Sequence, residues 1–204
     1  LDEPMGSIDE ALRVRTQREI RMLFERLRIT FIHVTHNQLE AFAMADRIVV
    51  MNKGRIVQDD APGNLFRSPE TDFVARFVGR NNIFYGTVES SSGREVVIAT
   101  PAGVFHVISD RAAPPAGQRT AFSIRAGLVS MARNGGGASP NQVAAEITFV
   151  EEVENIRIYH LVTDEGTPLR VEEHGLEGAR LLPVGEKVRL SWRSEDAVLL
   201  SIVE

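Results

Sequence analysis

The chain has 204 residues, 43% of them hydrophobic and 25% charged, with 23 Lys+Arg against 28 Asp+Glu. That composition fits a globular protein with length for one ordinary domain or two small ones, and it lies outside the disordered class. A net charge of −5 argues against a nucleic-acid binder, the lack of cysteine removes disulfides and thiolate zinc sites, and no apolar run nears the ~18 residues of a membrane helix.

The charge is unevenly spread. Residues 1–80 hold 12 basic and 12 acidic side chains, so residues 81–204 supply the whole negative balance. The patterning changes at the same place. Residues 1–79 alternate helical and strand signals, which predicts an α/β class, whereas residues 80–204 read as all-β. The chain opens at Leu1 inside a motif, so the reading expects a piece of a larger protein.

In chain order, Ser7 and Glu10 make an S-x-x-E capping pattern, and Leu12, Ile20, Leu23, Phe24 and Leu27 recur at helical spacing. They predict a helix to about Leu27 with one stripe facing a core. The β-branched run Thr30–Thr35 predicts a buried parallel strand with His36 at its carboxyl end. A helix through Leu39 and Phe42, a strand at Arg47–Met51 and a turn at Asn52-Lys53-Gly54 follow, with Arg55–Gln58 returning. Two short helical pieces are expected around Pro62–Phe66 and Asp72–Val78. Strands are then predicted at Phe84–Glu89, Glu95–Thr100, Val104–Ile108, Thr120–Arg125, Val143–Val153, Ile156–Thr163, Leu169–Glu173, Lys187–Trp192 and Ala197–Ile202. They suggest a small barrel or two OB-like units. No internal repeat stands out in the sequence. The half is acidic, so Phe105, Phe122, Phe149, Tyr159 and Trp192 are expected in the core, not on a base-stacking surface.

The candidate chemistry lies in the first part. Asp2 and Glu3 are read as ending a strand, and His36 ends the next one. Carboxyl ends of neighbouring parallel strands share a crevice, where two carboxylates and a histidine suit a divalent metal and an activated water. The same residues read equally well as solvated turn carboxylates and a helix cap. His33, on the opposite face of its strand, reads as a core or edge histidine, and His106, His160 and His174 have no metal-ligand spacing.

Leu1-Asp2-Glu3-Pro4 with Ser7-Ile8-Asp9 resembles the Walker B and D-loop of ATP-binding-cassette (ABC) ATPases. Val34-Thr35-His36-Asn37-Gln38 with Glu40-Ala41 resembles their switch-histidine segment. Ala45-Asp46-Arg47-Ile48, Met51-Asn52-Lys53-Gly54-Arg55-Ile56 and Phe73-Val74-Ala75-Arg76-Phe77-Val78-Gly79 follow in the family's order. The resemblance implies roles. Asp2 holds Mg²⁺ through water beside ATP, Glu3 is the catalytic carboxylate, His36 contacts the γ-phosphate, and Asp9 lies at the interface of two protomers. Ile8 and Asn37 depart mildly from the usual leucine and aspartate. No G-x-x-x-x-G-K-[ST] phosphate loop occurs, so the reading expects residues 1–79 to be the C-terminal part of an ATPase domain, inactive alone.

Asn81-Asn82-Ile83, Gly86-Thr87-Val88 and Trp192-Arg193-Ser194-Glu195-Asp196 resemble the OB-like TOBE regulatory domain of importer-type ABC ATPases. The resemblance implies an ATP-hydrolysing subunit, cytoplasmic and peripheral on the inner face of the membrane. It implies a homodimer that works with membrane permease subunits and, through them, a periplasmic solute-binding protein. Arg80-Asn81-Asn82 leans the solute towards polyamines or iron. Two other classes stay open: a non-transport ABC ATPase, and a regulatory or dimerisation module.

Overall fold

The computed structural model describes residues 10–133, 139–175 and 181–203, which divide into two compact units, Leu1–Arg67 and Ser68–Glu204. The units part earlier than the expected 79/80, because the short helix around residue 75 goes with the β-rich unit.

In the first unit, helix α1 (Glu10–Leu27) is followed by α2 (Gln38–Met44), the hairpin β1 (Ile48–Asn52) and β2 (Arg55–Asp60), and α3 (Pro62–Arg67). The hairpin turns through Lys53 and Gly54, both at positive φ, the geometry that an x-Gly turn supplies. Arg21 braces α1 against α2. Its guanidinium donates to the Ala43 and Met44 carbonyls and pairs with Asp46, and α2 has no basic residue of its own in its last turn.

Two expectations fail in this unit. Residues 30–35 form no strand beyond a bridge at Val34, and Ile32 and Val34 are 77% and 56% exposed. A buried strand needs ladder partners and cover on both faces. The described ladder of this unit is the antiparallel hairpin β1–β2 alone. Likewise Leu12, Leu23 and Leu27 on α1 are exposed, and Phe24 finds a partner in Phe31, stacked at 3.9 Å between centroids.

The second unit starts with helix α4 (Asp72–Phe77) and continues as β3 (Asn81–Ser92), β4 (Glu95–Thr100), β5 (Gly103–Ile108), β6 (Arg119–Arg125) and β7 (Ser130–Ala132). It ends with β8 (Asn141–Val153), β9 (Ile156–Thr163), β10 (Pro168–His174), β11 (Lys187–Trp192) and β12 (Val198–Leu200). They form two antiparallel sheets, ordered β12-β6-β3-β4-β5 and β7-β11-β8-β9-β10. Strand β7 was not expected from sequence. One core serves both sheets, with Phe84, Phe105, Phe122 and Trp192 in mutual ring contact at 4.9–6.5 Å. Phe149 is the exception among the expected core aromatics, 56% exposed. The ladder shifts register between Ile147 and Phe149, and this bulge turns the ring outward.

The two sheets repeat each other strand for strand, although the sequence shows no evident repeat. Strands β3 and β8 each carry a bulge after the fourth inward position, at Val88/Ser90 and at Ile147/Phe149. Gly117 donates to the Val88 carbonyl and Val88 to that of Gln118, as Gly185 does to Ile147 and Ile147 to Glu186. The stretches Pro115-Ala116-Gly117 to Ser123-Ile124-Arg125 and Pro183-Val184-Gly185 to Ser191-Trp192-Arg193 correspond residue for residue. Each is followed by a 3-10 turn, at Ala126–Leu128 and Ser194–Asp196. The last strand of each repeat then crosses to the other's sheet. Ser130 pairs with Ser191, and Val198 with Ser123.

Two asparagines fasten the sheets to each other at matching places. The Asn82 amide donates to the Arg170 carbonyl and accepts its N–H, at 2.8 and 2.6 Å. The Asn141 amide does the same to His106, at 2.9 and 2.7 Å. Each carboxamide acts as one rung of a ladder where no neighbouring strand is present.

Candidate functional site

The segment leading to His36 keeps the alternation of a strand, with a bridge at Val34. Phe31, His33 and Thr35 are half-buried, while Ile32, Val34 and His36 are exposed. His33 and His36 therefore face opposite sides of the chain. The turn that follows is closed by side chains. Thr35 Oγ1 accepts the Asn37 N–H at 2.9 Å, spanning the peptides on both sides of His36. Asn37 Oδ1 then caps α2, accepting from the Leu39 and Glu40 N–H groups at 3.0 and 3.4 Å.

Beneath this turn lies a buried acid. Glu40 is 4% exposed, and its Oε2 accepts the Thr35 hydroxyl at 2.9 Å. His33 Nε2 stands 3.5 Å from the same oxygen. Thr35, Glu40 and the Asn37 cap together fix the backbone on both sides of the exposed His36. The family's wording singles out His36 and is silent on Thr35 and Glu40. Their signal lies within Val34–Ala41, where a hydroxyl precedes the histidine and an acid lies one helical turn further on.

Asp2, Glu3, Ser7 and Asp9 lie outside the described residues. Among the described residues, no group of three His, Asp or Glu side chains is placed to hold a metal ion. No described helix is long and apolar enough to cross a membrane.

The β-rich unit holds two further polar sites. A cavity of about 220 Å³ is lined by Arg111, Gln118, Thr120 and Leu200. Arg111 spends its guanidinium on the carbonyls of Ser68, Pro69 and Leu199, which makes it a fastener of the chain entering the unit. The second site is Asp72, buried at the head of α4. Its Oδ1 accepts the Val203 N–H at 3.0 Å, and its Oδ2 accepts from Tyr85 at 2.7 Å and Arg76 at 2.9 Å. Burial raises the Asp72 pKa, but these three donors outweigh it and hold the carboxyl below its ordinary value. For Tyr85, burial and the adjacent Asp72 carboxylate push the phenol up to about 12. The cluster ties α4 and the chain end to β3, and its geometry is structural.

No protein-family model matches the chain. A spermidine/putrescine import ATP-binding protein of Rubrobacter xylanophilus is 37% identical over 202 residues, covering 98% of this chain and 52% of that protein. An Fe(3+) ions import ATP-binding protein of Rhizobium etli is 35% identical over 201 residues, 98% of this chain and 54% of that protein. The putrescine transport ATP-binding protein of Escherichia coli is 29% identical over 205 residues, 99% and 54% respectively. Among solved structures, a cytoplasmic molybdate-binding protein with molybdate bound aligns at a TM-score of 0.50 and 18% identity, covering 58% of this chain and 94% of that one. That likeness speaks for the fold of the β strands alone. The chain spans about half the length of the curated relatives it matches, and it belongs to the ATP-binding subunits of importer-type ABC transporters.

Proposed function

We propose that this chain is the C-terminal half of a subunit that hydrolyses ATP to drive solute import, with its first unit completing an α/β ATPase domain and its β-rich unit forming a regulatory domain. The unbroken homology to import ATP-binding proteins over 98% of the chain carries this reading. The exposed apolar side chains of the first unit support it, because Leu12, Leu23, Ile32 and Val34 form the kind of surface that further layers of a larger domain cover.

The described residues fit a nucleotide contact better than a metal. An exposed imidazole, held at the end of an extended segment, can donate a hydrogen bond to a phosphate oxygen. In this reading His36 meets the γ-phosphate, Glu3 orients and polarises the attacking water, Asp2 holds Mg²⁺ through its water shell, and Asp9 serves the interface of a homodimer. Magnesium neutralises charge on the phosphates when bound. The partners are membrane permease subunits, with a periplasmic solute-binding protein beyond them, and the subunit sits on the cytoplasmic face. The solute class is polyamine or ferric iron, following the relatives' names.

The test is turnover by the full-length protein. Glu3→Gln keeps the size and hydrogen bonding of the side chain and removes its charge, so ATP binding persists while kcat falls by ~10²–10⁴-fold. His36→Ala also stalls hydrolysis, since positioning and charge stabilisation dominate phosphoryl transfer. A Glu3→Gln protein with parental turnover would overturn the assignment.

A further inference from the structure

We propose that the cavity beside Arg111 and Arg119 in the β-rich unit is a binding site for a small organic anion: a carboxylate or phosphate head on an apolar body. Its chemistry draws on neither His36 nor a nucleotide.

The cavity is cationic. Two arginines line it and no acid does. The Arg111 guanidinium donates to the carbonyls of Pro69, Leu199 and Ser68, at 2.7, 2.9 and 3.0 Å, and to the Ser68 hydroxyl. These neutral acceptors satisfy its hydrogens without cancelling its charge. Arg119 is exposed at the start of β6, and its side chain pairs with no described residue. Asp110, the acid next to Arg111 in the chain, is already engaged by Arg94 at 2.7 Å. Two positive charges on one concave wall focus a field that draws anions.

The second repeat shows that the fold does not require this imbalance. Gln118, Arg119 and Ser201 correspond in position to Glu186, Lys187 and Arg133. There Glu186 pairs with Arg133 at 3.2 Å, and Lys187 lies 4.0 Å from Asp164, so that repeat neutralises its own cations. In the first repeat a neutral amide stands in place of the acid. The Gln118 amide and the Ser201 hydroxyl therefore line the cavity beside an arginine that no described acid neutralises. A guanidinium fork with an amide and a hydroxyl is a donor set for carboxylate or phosphate oxygens.

Size and lining set the class. At about 220 Å³ the cavity lies below the ~300–1,000 Å³ of pockets for drug-sized ligands, which suits a small metabolite. Pro114, Leu199 and Ile202 supply apolar wall for the body of the molecule, and a bare inorganic anion would leave that wall unused.

The experiment is calorimetry and thermal unfolding of the 204-residue chain with benzoate, phenyl phosphate and sodium sulfate. Benzoate and phenyl phosphate carry the same ring, so they compare the two heads, and sulfate tests the need for a body. At least one of the two is expected to bind with a Kd of about 1 mM or tighter. It should also raise Tm, because a ligand held by the folded chain alone stabilises it. Sulfate is expected to bind at least ~10-fold more weakly. Arg119→Gln changes an exposed side chain and should weaken binding by ~10-fold or more. Gln118→Glu, which installs the acid of the second repeat beside Arg119, should do the same. Lys187→Gln, the corresponding change in the other repeat, should leave affinity within about twofold. If neither organic anion reaches that affinity, the cavity is no anion site. Binding unchanged in both Arg119→Gln and Gln118→Glu would put the anion elsewhere and overturn the assignment. Sulfate binding as tightly as the organic anions would refute the proposed ligand class.

Discussion

Removing the Asn141 side chain tests the architecture of the β-rich unit most directly. Asn141 is fully buried, and its carboxamide pairs with both the N–H and the carbonyl of His106, at 2.7 and 2.9 Å. Alanine leaves both backbone groups without a partner at a half-buried place. At ~1–3 kcal/mol for each stranded group, with part of one recovered by water, Asn141→Ala costs about 3 kcal/mol. For a unit of this size that lowers Tm by roughly 10 °C. Asn141→Asp is at least as damaging at neutral pH, because its carboxylate still accepts the His106 N–H but sets an anion against the His106 carbonyl. Acidification that protonates the new carboxyl restores a donor and recovers part of the loss. Asn82→Ala removes the matching rung to Arg170 and is expected to cost the same within about 1 kcal/mol. Urea unfolding followed by tryptophan fluorescence suits the measurement, since Trp192 is the sole tryptophan and is buried in the core of this unit. Were Asn141→Ala within about 0.5 kcal/mol of the parent, well under the cost of one stranded group, the ladder role of these amides would be wrong.

Three further outcomes follow from the same contacts. The Asp72 carboxyl is held below its ordinary pKa in the folded chain, so its stabilising effect is present above the unfolded value near 3.8 and disappears as pH falls through the lower folded value. Asp72→Asn should remove that part of the acid transition, and an unchanged acid midpoint would count against the cluster. Absorbance at 295 nm should show one tyrosine, lost in Tyr85→Phe, that ionises only near pH 12. A chain starting at Ser68 keeps α4 and its bonds to Tyr85 and Val203, so it should unfold at a higher temperature than one starting at Arg80, with sedimentation testing self-association of both. The 204-residue chain alone, with no phosphate loop in its sequence, should hydrolyse no ATP, and calorimetry giving micromolar ATP affinity would contradict that expectation.

The parts of the fold that the sequence made legible are those decided by local chemistry. The Lys53-Gly54 turn, the capping Asn37 and the strand runs at 95–100, 156–163 and 187–192 depend on residues within a few positions, and the structure matches them. Phe149 escaped because a bulge reverses which face a residue occupies, and alternation counted from Val143 carries no sign of it. The run at 30–35 has the composition of a buried strand. Composition cannot say whether partners are present, and the described residues offer a single bridge. At the site, His36 was legible through the wording of its segment, whereas Thr35 and Glu40 became visible only once one helical turn brought the acid back beneath the hydroxyl.

The repeat in the β-rich unit shows most sharply why sequence alone fell short. Two strand sets that exchange their last members need to agree only where the exchange imposes geometry. Those places are the Pro-x-Gly turn whose N–H returns to the bulged strand, the serine opposite the crossing strand, and the asparagine that substitutes for a missing rung. At the remaining inward positions the requirement is volume, so Phe84 can stand where the other repeat has Val143, and Phe122 where it has Leu190. A bulky pair in one sheet against a smaller pair in the other still fills a shared core, because the four aromatic rings meet between the sheets. Selection on total core volume therefore erases the resemblance between the repeats while preserving their hydrogen bonds. The duplicated bonds of Gly117 and Gly185, and of Asn82 and Asn141, are what remains to be read.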